Sequence, residues 1–173
     1  MTIHHETGLP LIRTFDKEDL GITKIQRRNL PHWELSGSTY FVTICVDKEE
    51  LGQPFLDKKL AKFMMDFICQ YDNKTYLLYS FVVMTDHIHM IIKPLHVSLS
   101  KIFHCLKGGS SFHINKMLGR RGKFWQDETF DHLIRSNEWL VKYWEYVKNN
   151  PVKKGLVEHA EDYPFSSFYK PKT

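Results

Sequence analysis

Apolar positions recur at two alternating periods along this chain. Ser38 to Val46, rich in β-branched and aromatic residues, reads as a first strand. From Leu56 to about Gln70 the spacing lengthens, and Leu60, Phe63, Met64, Phe67 and Ile68 form a helical stripe. Tyr76 to Met84 is a second strand and His87 to Ile92 a third, with Thr85-Asp86 left to turn between them, a hairpin spacing. Ser98 stands where a cap would open a helix carrying Leu99, Ile102, Phe103 and Leu106 on one face, which Gly108-Gly109 is expected to weaken or bend before Phe112 and Ile114. Phe130 to Ile134 gives a short fourth strand, and a last helix runs from Asn137 to about Asn150, ended by Pro151. The order β-α-β-β-α-β-α predicts an α+β fold, a ferredoxin-like split βαβ antiparallel sheet with helices on one face.

Residues 1–36 are polar and weakly periodic and read as an N-terminal arm, leaving 37–173 as a single domain. A chain of 173 residues, 42% hydrophobic, can bury a sizeable core. It holds no run of roughly 18 apolar residues and no signal-peptide pattern at Met1, so the expectation is a soluble, cytoplasmic protein without a membrane partner. Cys45, Cys69 and Cys105 are odd in number, far apart and set in apolar runs, and are expected to be buried reduced thiols rather than a disulfide framework or a zinc cluster.

Charge changes the picture once it is mapped. The forty residues from His87 to Gln126 contain no Asp or Glu but carry Lys93, Lys101, Lys107, Lys116, Arg120, Arg121 and Lys123, a local +7, while the remainder of the chain sums to −3. Such a block fits either a solvated basic face or a surface for a polyanion, most simply a nucleic-acid backbone. Leu118-Gly119-Arg120-Arg121-Gly122 within it reads as a basic, glycine-bounded loop.

Candidate chemistry begins at Asp86-His87-Ile88-His89. On a strand, His87 and His89 project to one face while Ile88 turns to the core behind them. Two imidazoles side by side are half of a metal site. In the last helix Leu140, Tyr143, Trp144 and Val147 define the buried stripe, and Tyr146 and Asn150 lie one turn apart on its flank, pointing nearly the same way. Tyr143, nearer the stripe's centre, is the better plain core aromatic. Phe124-Trp125 next to the basic loop admits two readings, stacking on unpaired bases or core.

These residues carry a resemblance. His87-Ile88-His89 is similar to the His-hydrophobic-His signature of the HUH endonucleases. The segments Phe124-Trp125-Gln126, Asp131-His132-Leu133-Ile134-Arg135, the stretch from Tyr146 through Asn150-Pro151-Val152 to Val157, and Tyr163-Pro164-Phe165-Ser166-Ser167, in this order, resemble the REP-associated tyrosine transposases. These belong with the single-tyrosine HUH transposases of bacterial insertion sequences. The likeness spans about residues 30–168 and includes Leu30-Pro31-His32-Trp33-Glu34. It departs at Thr85-Asp86, where many relatives carry Pro-Asn or Pro-Glu.

The resemblance implies a ferredoxin-like fold and a set of roles. His87 and His89 would bind a divalent metal, Mg or Mn, with Asn150 as the third, amide ligand and Tyr146 as the nucleophile. The activity implied is nicking of single-stranded DNA at hairpin sequences, with strand transfer through a 5′-phosphotyrosine. Storing the cut on a phenol, with a reference pKa of about 10, leaves a bond that a sugar hydroxyl can reseal without ATP. The expected partner is single-stranded DNA with a hairpin, contacted through Lys107, Lys116, Arg120, Arg121, Lys123 and Trp125, by a monomer or a homodimer. Two alternatives stay open: a DNA-hairpin-binding protein with little or no strand transfer, and a metal-dependent hydrolase that uses water and makes Tyr146 dispensable.

Overall fold

In the computed structural model, residues 37–171 are described, so the expected arm and its Leu30–Glu34 segment lie outside the described residues. Four strands form one antiparallel sheet: β1 (Tyr40–Cys45), β2 (Tyr76–Val83), β3 (His87–Pro94) and β4 (Phe130–Leu133), in the order β2-β3-β1-β4. A short helix α1 (Lys48–Leu51) and α2 (Lys58–Cys69) connect β1 to β2, and α3 (Leu99–Met117) connects β3 to β4. With α4 (Asn137–Lys153) following, this is the predicted ferredoxin-like α+β order.

The strands alternate between two faces. Tyr40, Val42 and Ile44 of β1 and Ile88, Met90 and Ile92 of β3 point to one face, where they meet Leu60, Met64 and Ile68 of α2 and Leu99, Ile102 and Leu106 of α3. On the other face Ile91, Val82 and Met84 meet Leu140 and Val147 of α4. The expectation of helices on one face therefore holds for α2 and α3, whereas α4 covers the opposite face. β2 is buried on both sides, which is why its sequence is an unbroken apolar run rather than an alternation. A bulge between Leu78 and Ser80 shifts its phase, so that Leu78 and Phe81 still share a face.

Helix starts follow the sequence. Asp57, Ser98 and Ser136 cap α2, α3 and α4 by accepting from the backbone N–H of Lys59, Lys101 and Trp139. Two expectations about helix interruption change. Gly108-Gly109 leaves α3 continuous; a Cβ on Gly109 would come within 2.7 Å of Phe67 Cζ, so glycine there serves the close approach of α3 to α2. Pro151 lies inside α4, which ends two residues later. The stop is Gly155, at φ +68°: its N–H bonds to Val152 O and the N–H of Leu156 to Pro151 O, a Schellman cap.

The C-terminal motif Tyr163-Pro164-Phe165-Ser166-Ser167 borders β2. The hydroxyl of Tyr163 donates to Val83 O at 2.8 Å, the N–H of Val83 donates to Phe165 O, and Ser167 Oγ accepts from the N–H of Phe81. This covers an otherwise open strand edge. Among the described residues, no helix is long and apolar enough to cross a membrane.

Candidate active site

The face under α4 holds the candidate chemistry. His87 and His89, two residues apart on β3, point to this face as their spacing predicts, and Ile88 is fully buried on the other. Their Nε2 atoms converge to 3.1 Å. Each ring is held from behind through Nδ1. Asp86 Oδ1 accepts a hydrogen bond from the Nδ1–H of His87 at 2.5 Å, while its Oδ2 pairs with Lys48 of α1 at 2.7 Å. A carboxylate only accepts, so neutral His87 carries its proton on Nδ1 and presents the Nε2 lone pair to the site. Thr43, directly across from His89 in the β1–β3 register, places Oγ1 2.8 Å from His89 Nδ1. A hydroxyl can donate or accept, which leaves His89 Nε2 able to give a proton to His87 or to offer its own lone pair to a cation.

Both imidazoles are kept neutral. Burial, first of all, holds His89 down at about 3, with the neighbouring His87 adding to the shift. Burial likewise lowers His87; Asp86 opposes this, and the cations of Lys48 and Lys154 reinforce it. Asp86 is itself below the ordinary carboxylate range: burial raises it, but the bonds from Lys48 and His87 together outweigh that.

Helix α4 lies across this pair. The ring of Tyr146 meets His89 edge-on, with centroids 5.1 Å apart, and meets Phe41 in the same way at 5.7 Å. Tyr146 is 39% exposed, so a ligand entering from solvent reaches it. Two turns later, Lys154 is close enough for its charge to be felt at His87. Asn150 sits between them on the helix. It is 4% exposed, and its Oδ1 has no hydrogen-bond partner among the described residues. A buried acceptor without a partner is destabilising by roughly 1–3 kcal/mol unless a cation or water takes it. Asn149, in contrast, turns its amide to Glu145 on the helix surface, at 3.0 Å from the carbonyl and 2.9 Å from Oε2. The two neighbouring amides thus differ, Asn149 bonded at the helix surface and Asn150 buried with its oxygen unpaired among the described residues.

The described residues hold no group of three His, Cys, Asp or Glu side chains suited to a metal. Two neutral imidazoles and, one helical turn after Tyr146, an orphaned amide oxygen are nonetheless chemically suited as donors to a divalent ion.

The expected DNA contacts fare differently. Trp125 is 4% exposed and packs on Phe55 and Phe124, and its indole N–H donates to Ser110 Oγ at 2.8 Å. It is a core residue and has no free face for a base. Three of the basic side chains hold the protein together. Lys107 donates to Asp127 O at 2.8 Å and to Thr129 Oγ1 at 3.0 Å, pinning the turn that interrupts pairing along β1 between Gln126 and Phe130. Arg120 bonds Asn115 Oδ1, Lys123 O and Glu50 Oε2. Lys123 pairs with Asp127 at 2.8 Å and Asp47 at 3.6 Å. The acids that answer these cations all lie outside the one-signed block, so counting within it overstated the free charge. Lys116 and Arg121 are exposed and remain available to a polyanion.

Sequence reasoning missed Thr43, Phe41 and the positioning part of Asp86. Phe41 stacks on His89 at 5.3 Å and on Tyr143 at 4.5 Å, so it is the floor beneath the candidate nucleophile. Of the three cysteines, Cys69 is buried, its thiol pushed up to about 12 by burial, while Cys45 and Cys105 are half-buried; all three are free thiols. Cys45 lies directly across from His87 in the β1–β3 register, a placement its apolar surroundings did not suggest.

A four-stranded antiparallel sheet that carries paired histidines beneath a tyrosine-bearing helix places this protein among α+β proteins with a site on the sheet face. The sequence profile described as "Transposase IS200 like" matches residues 38–150, from the start of the sheet to Asn150, and the chain belongs to that family. It is 25% identical over 145 residues to a Haemophilus influenzae protein provisionally named a REP-associated tyrosine transposase, a match covering 78% of this chain and 81% of that one. It is 37% identical over 46 residues to the REP-associated tyrosine transposase of Escherichia coli, covering 27% and 28% of the two chains. A solved structure of a REP-associated tyrosine transposase bound to a REP hairpin aligns with a TM-score of 0.63 at 21% identity, over 85% of this chain and 83% of that chain, and shows the same fold.

Proposed function

We propose that this protein is a metal-dependent enzyme that nicks single-stranded DNA beside hairpin sequences and transfers the strand through a 5′-phosphotyrosine on Tyr146. The observation that carries this reading is the convergence of His87 and His89 Nε2 at 3.1 Å beneath the exposed, edge-on ring of Tyr146. The REP hairpin held by the solved relative supports a hairpin as the DNA recognised here.

His87, His89 and Asn150 would hold Mg or Mn, which supplies Lewis-acid polarisation of the scissile phosphate. Asp86 and Thr43 fix the two imidazoles in the orientation that faces the site. Packing on Phe41 and His89 restricts the Tyr146 ring without burying it. In the reaction, the phenolic oxygen forms a bond to phosphorus as the bond from phosphorus to the 3′-oxygen breaks. The phenol's proton leaves and the 3′-oxygen takes one up, giving a free 3′-hydroxyl. Attack by that hydroxyl, or by another, reverses the bond change and completes transfer. Lys153, with Nζ 5.4 Å from the Tyr146 ring centroid, adds positive charge where the phosphate would lie.

Covalent trapping tests the reading. Single-stranded DNA with a hairpin and its flanks, from repeats near the native gene, is incubated with manganese and wild type or Tyr146→Phe, then resolved on a denaturing gel. A metal-dependent adduct from wild type that falls below detection in the variant is the expected result. Hairpin binding without an adduct across several cognate sequences would replace this reading with a hairpin-binding protein. Cleavage retained in Tyr146→Phe would point to water as nucleophile.

A further inference from the structure

The burial of Trp125 and Phe124 leaves the expected stacking role unfilled, and a different group of rings is placed for it. β4 is the edge strand next to β1 among the described residues, and Phe130 and His132 occupy one face of it. Phe130 lies across from Thr43, whose side chain reaches His89, and His132 lies across from Phe41. Paired residues of neighbouring strands share a face, so both rings belong to the face that carries the histidines. Phe130 is 65% exposed, although a sheet-borne phenylalanine gains most from burial. His132 packs against Trp139 and Tyr143, with centroids 5.9 and 5.4 Å away. Trp139, in the first turn of α4, is 42% exposed and stacks on Tyr143, which stacks on Phe41, which stacks on His89. A ladder of rings thus runs from the histidine pair to the surface and opens where β4 meets the start of α4. Cationic side chains border it: Lys142 Nζ lies 4.4 Å from the Trp139 ring centroid, and Arg135 is exposed at the end of β4.

We propose that Phe130, His132 and Trp139 form a platform on which unpaired bases of the DNA strand stack as it leaves the active site across the β4 edge, with Lys142 and Arg135 meeting its phosphates. The inference rests on the reading of the site as one that cleaves DNA and adds where the strand flanking the cleaved bond lies. A base offers a π-face to such rings whatever its identity, and the site continues without a break from His89.

The test compares two DNAs, a hairpin with its single-stranded flank and the same hairpin cut blunt. Affinities are measured by fluorescence anisotropy for wild type, Phe130→Ala, Trp139→Ala and Trp139→Phe, and 2-aminopurine is placed at successive flank positions. Each alanine variant is expected to weaken binding of the flanked hairpin about tenfold, leave the blunt hairpin unchanged, and abolish 2-aminopurine quenching at one or two adjacent positions. The salt dependence stays the same, since no phosphate contact is removed, and Trp139→Phe restores most of the loss. Should Trp139→Ala unfold because Tyr143 loses its cover, Phe130→Ala decides, its ring being largely in solvent. Wild-type affinity for the flanked hairpin in Phe130→Ala, or an equal loss on both DNAs, overturns the platform. If wild type forms the adduct yet these variants bind normally, the platform alone fails. Absence of both adduct and binding in wild type removes the active-site reading beneath it.

Discussion

The two faces of one sheet have become two different solvents. β3 shows the contrast residue by residue: Ile88, Met90 and Ile92 enter a dry core closed by α2 and α3, while His87 and His89 enter a polar seam beneath α4. The dry face is filled mainly by aliphatic and aromatic side chains, and polar atoms among them such as the Trp125 indole N–H and the Tyr76 hydroxyl are bonded within the core. The seam contains a carboxylate, a hydroxyl, two imidazoles, an amide and a phenol, and one of these, Asn150 Oδ1, is left without a partner. The first face stabilises the fold; the second carries polar groups kept at a cost in stability, the groups that the proposed reaction would use.

Substitutions on either side should therefore separate activity from stability. His89→Ala should show the largest loss after Tyr146→Phe: metal-supported adduct formation falls at least tenfold while hairpin binding at low salt persists. Full activity in that variant would place the metal elsewhere. Ile88→Ala, one residue away but pointing to the dry face, should lower the unfolding free energy by roughly 2–5 kcal/mol in a denaturant titration. Below its melting transition it should still form the adduct, and loss of the adduct in a folded sample would mean that the two faces are not independent.

Acidity should probe the seam in metal-free protein. His89 is neutral in the folded protein down to about pH 3, whereas an unfolded histidine takes a proton near pH 6.5. Between these values the unfolded chain binds more protons, so stability falls as pH falls from about 6.5 towards 3, by at most about 1.4 kcal/mol per pH unit. His89→Gln should flatten that slope in the presence of a chelator; an unchanged slope would assign it to other groups. The smallest effect is expected at Asn150. Asn150→Ala should change the stability of metal-free protein by less than about 1 kcal/mol, because relief of the unsatisfied amide oxygen offsets the cavity left by the truncated side chain. It should at the same time abolish most of the rise in Tm that manganese gives to wild type. Equal manganese stabilisation in the variant would remove Asn150 from the ligand set.

What the sequence showed and what it hid follow from the range of the interactions involved. The direction of His87 and His89, the buried stripe of α4, and the flank shared by Tyr146 and Asn150 depend on local periodicity, which residues read from their own neighbours. Thr43 and Phe41 become part of the site through the β1–β3 register, which joins positions about 46 residues apart and leaves no local mark. The basic block misled for the same reason, since Glu50 and Asp47 reach Arg120 and Lys123 from across the fold. Trp125 next to a basic loop looked equally like a stacking ring or a core residue until its indole was found bonded to Ser110 in α3. At the end of α4, Pro151 was the more conspicuous signal, but a proline fits the helical φ, whereas Gly155 supplies the left-handed turn that ends the helix.

The most direct test of the seam as a catalytic face is to digest the trapped protein–DNA adduct and locate the nucleotide by tandem mass spectrometry. The account predicts a phosphodiester-linked nucleotide on the peptide that contains Tyr146, on Tyr146 itself, formed only when metal is present. A nucleotide on Tyr143, on Cys45 or on any residue of the opposite face would contradict it.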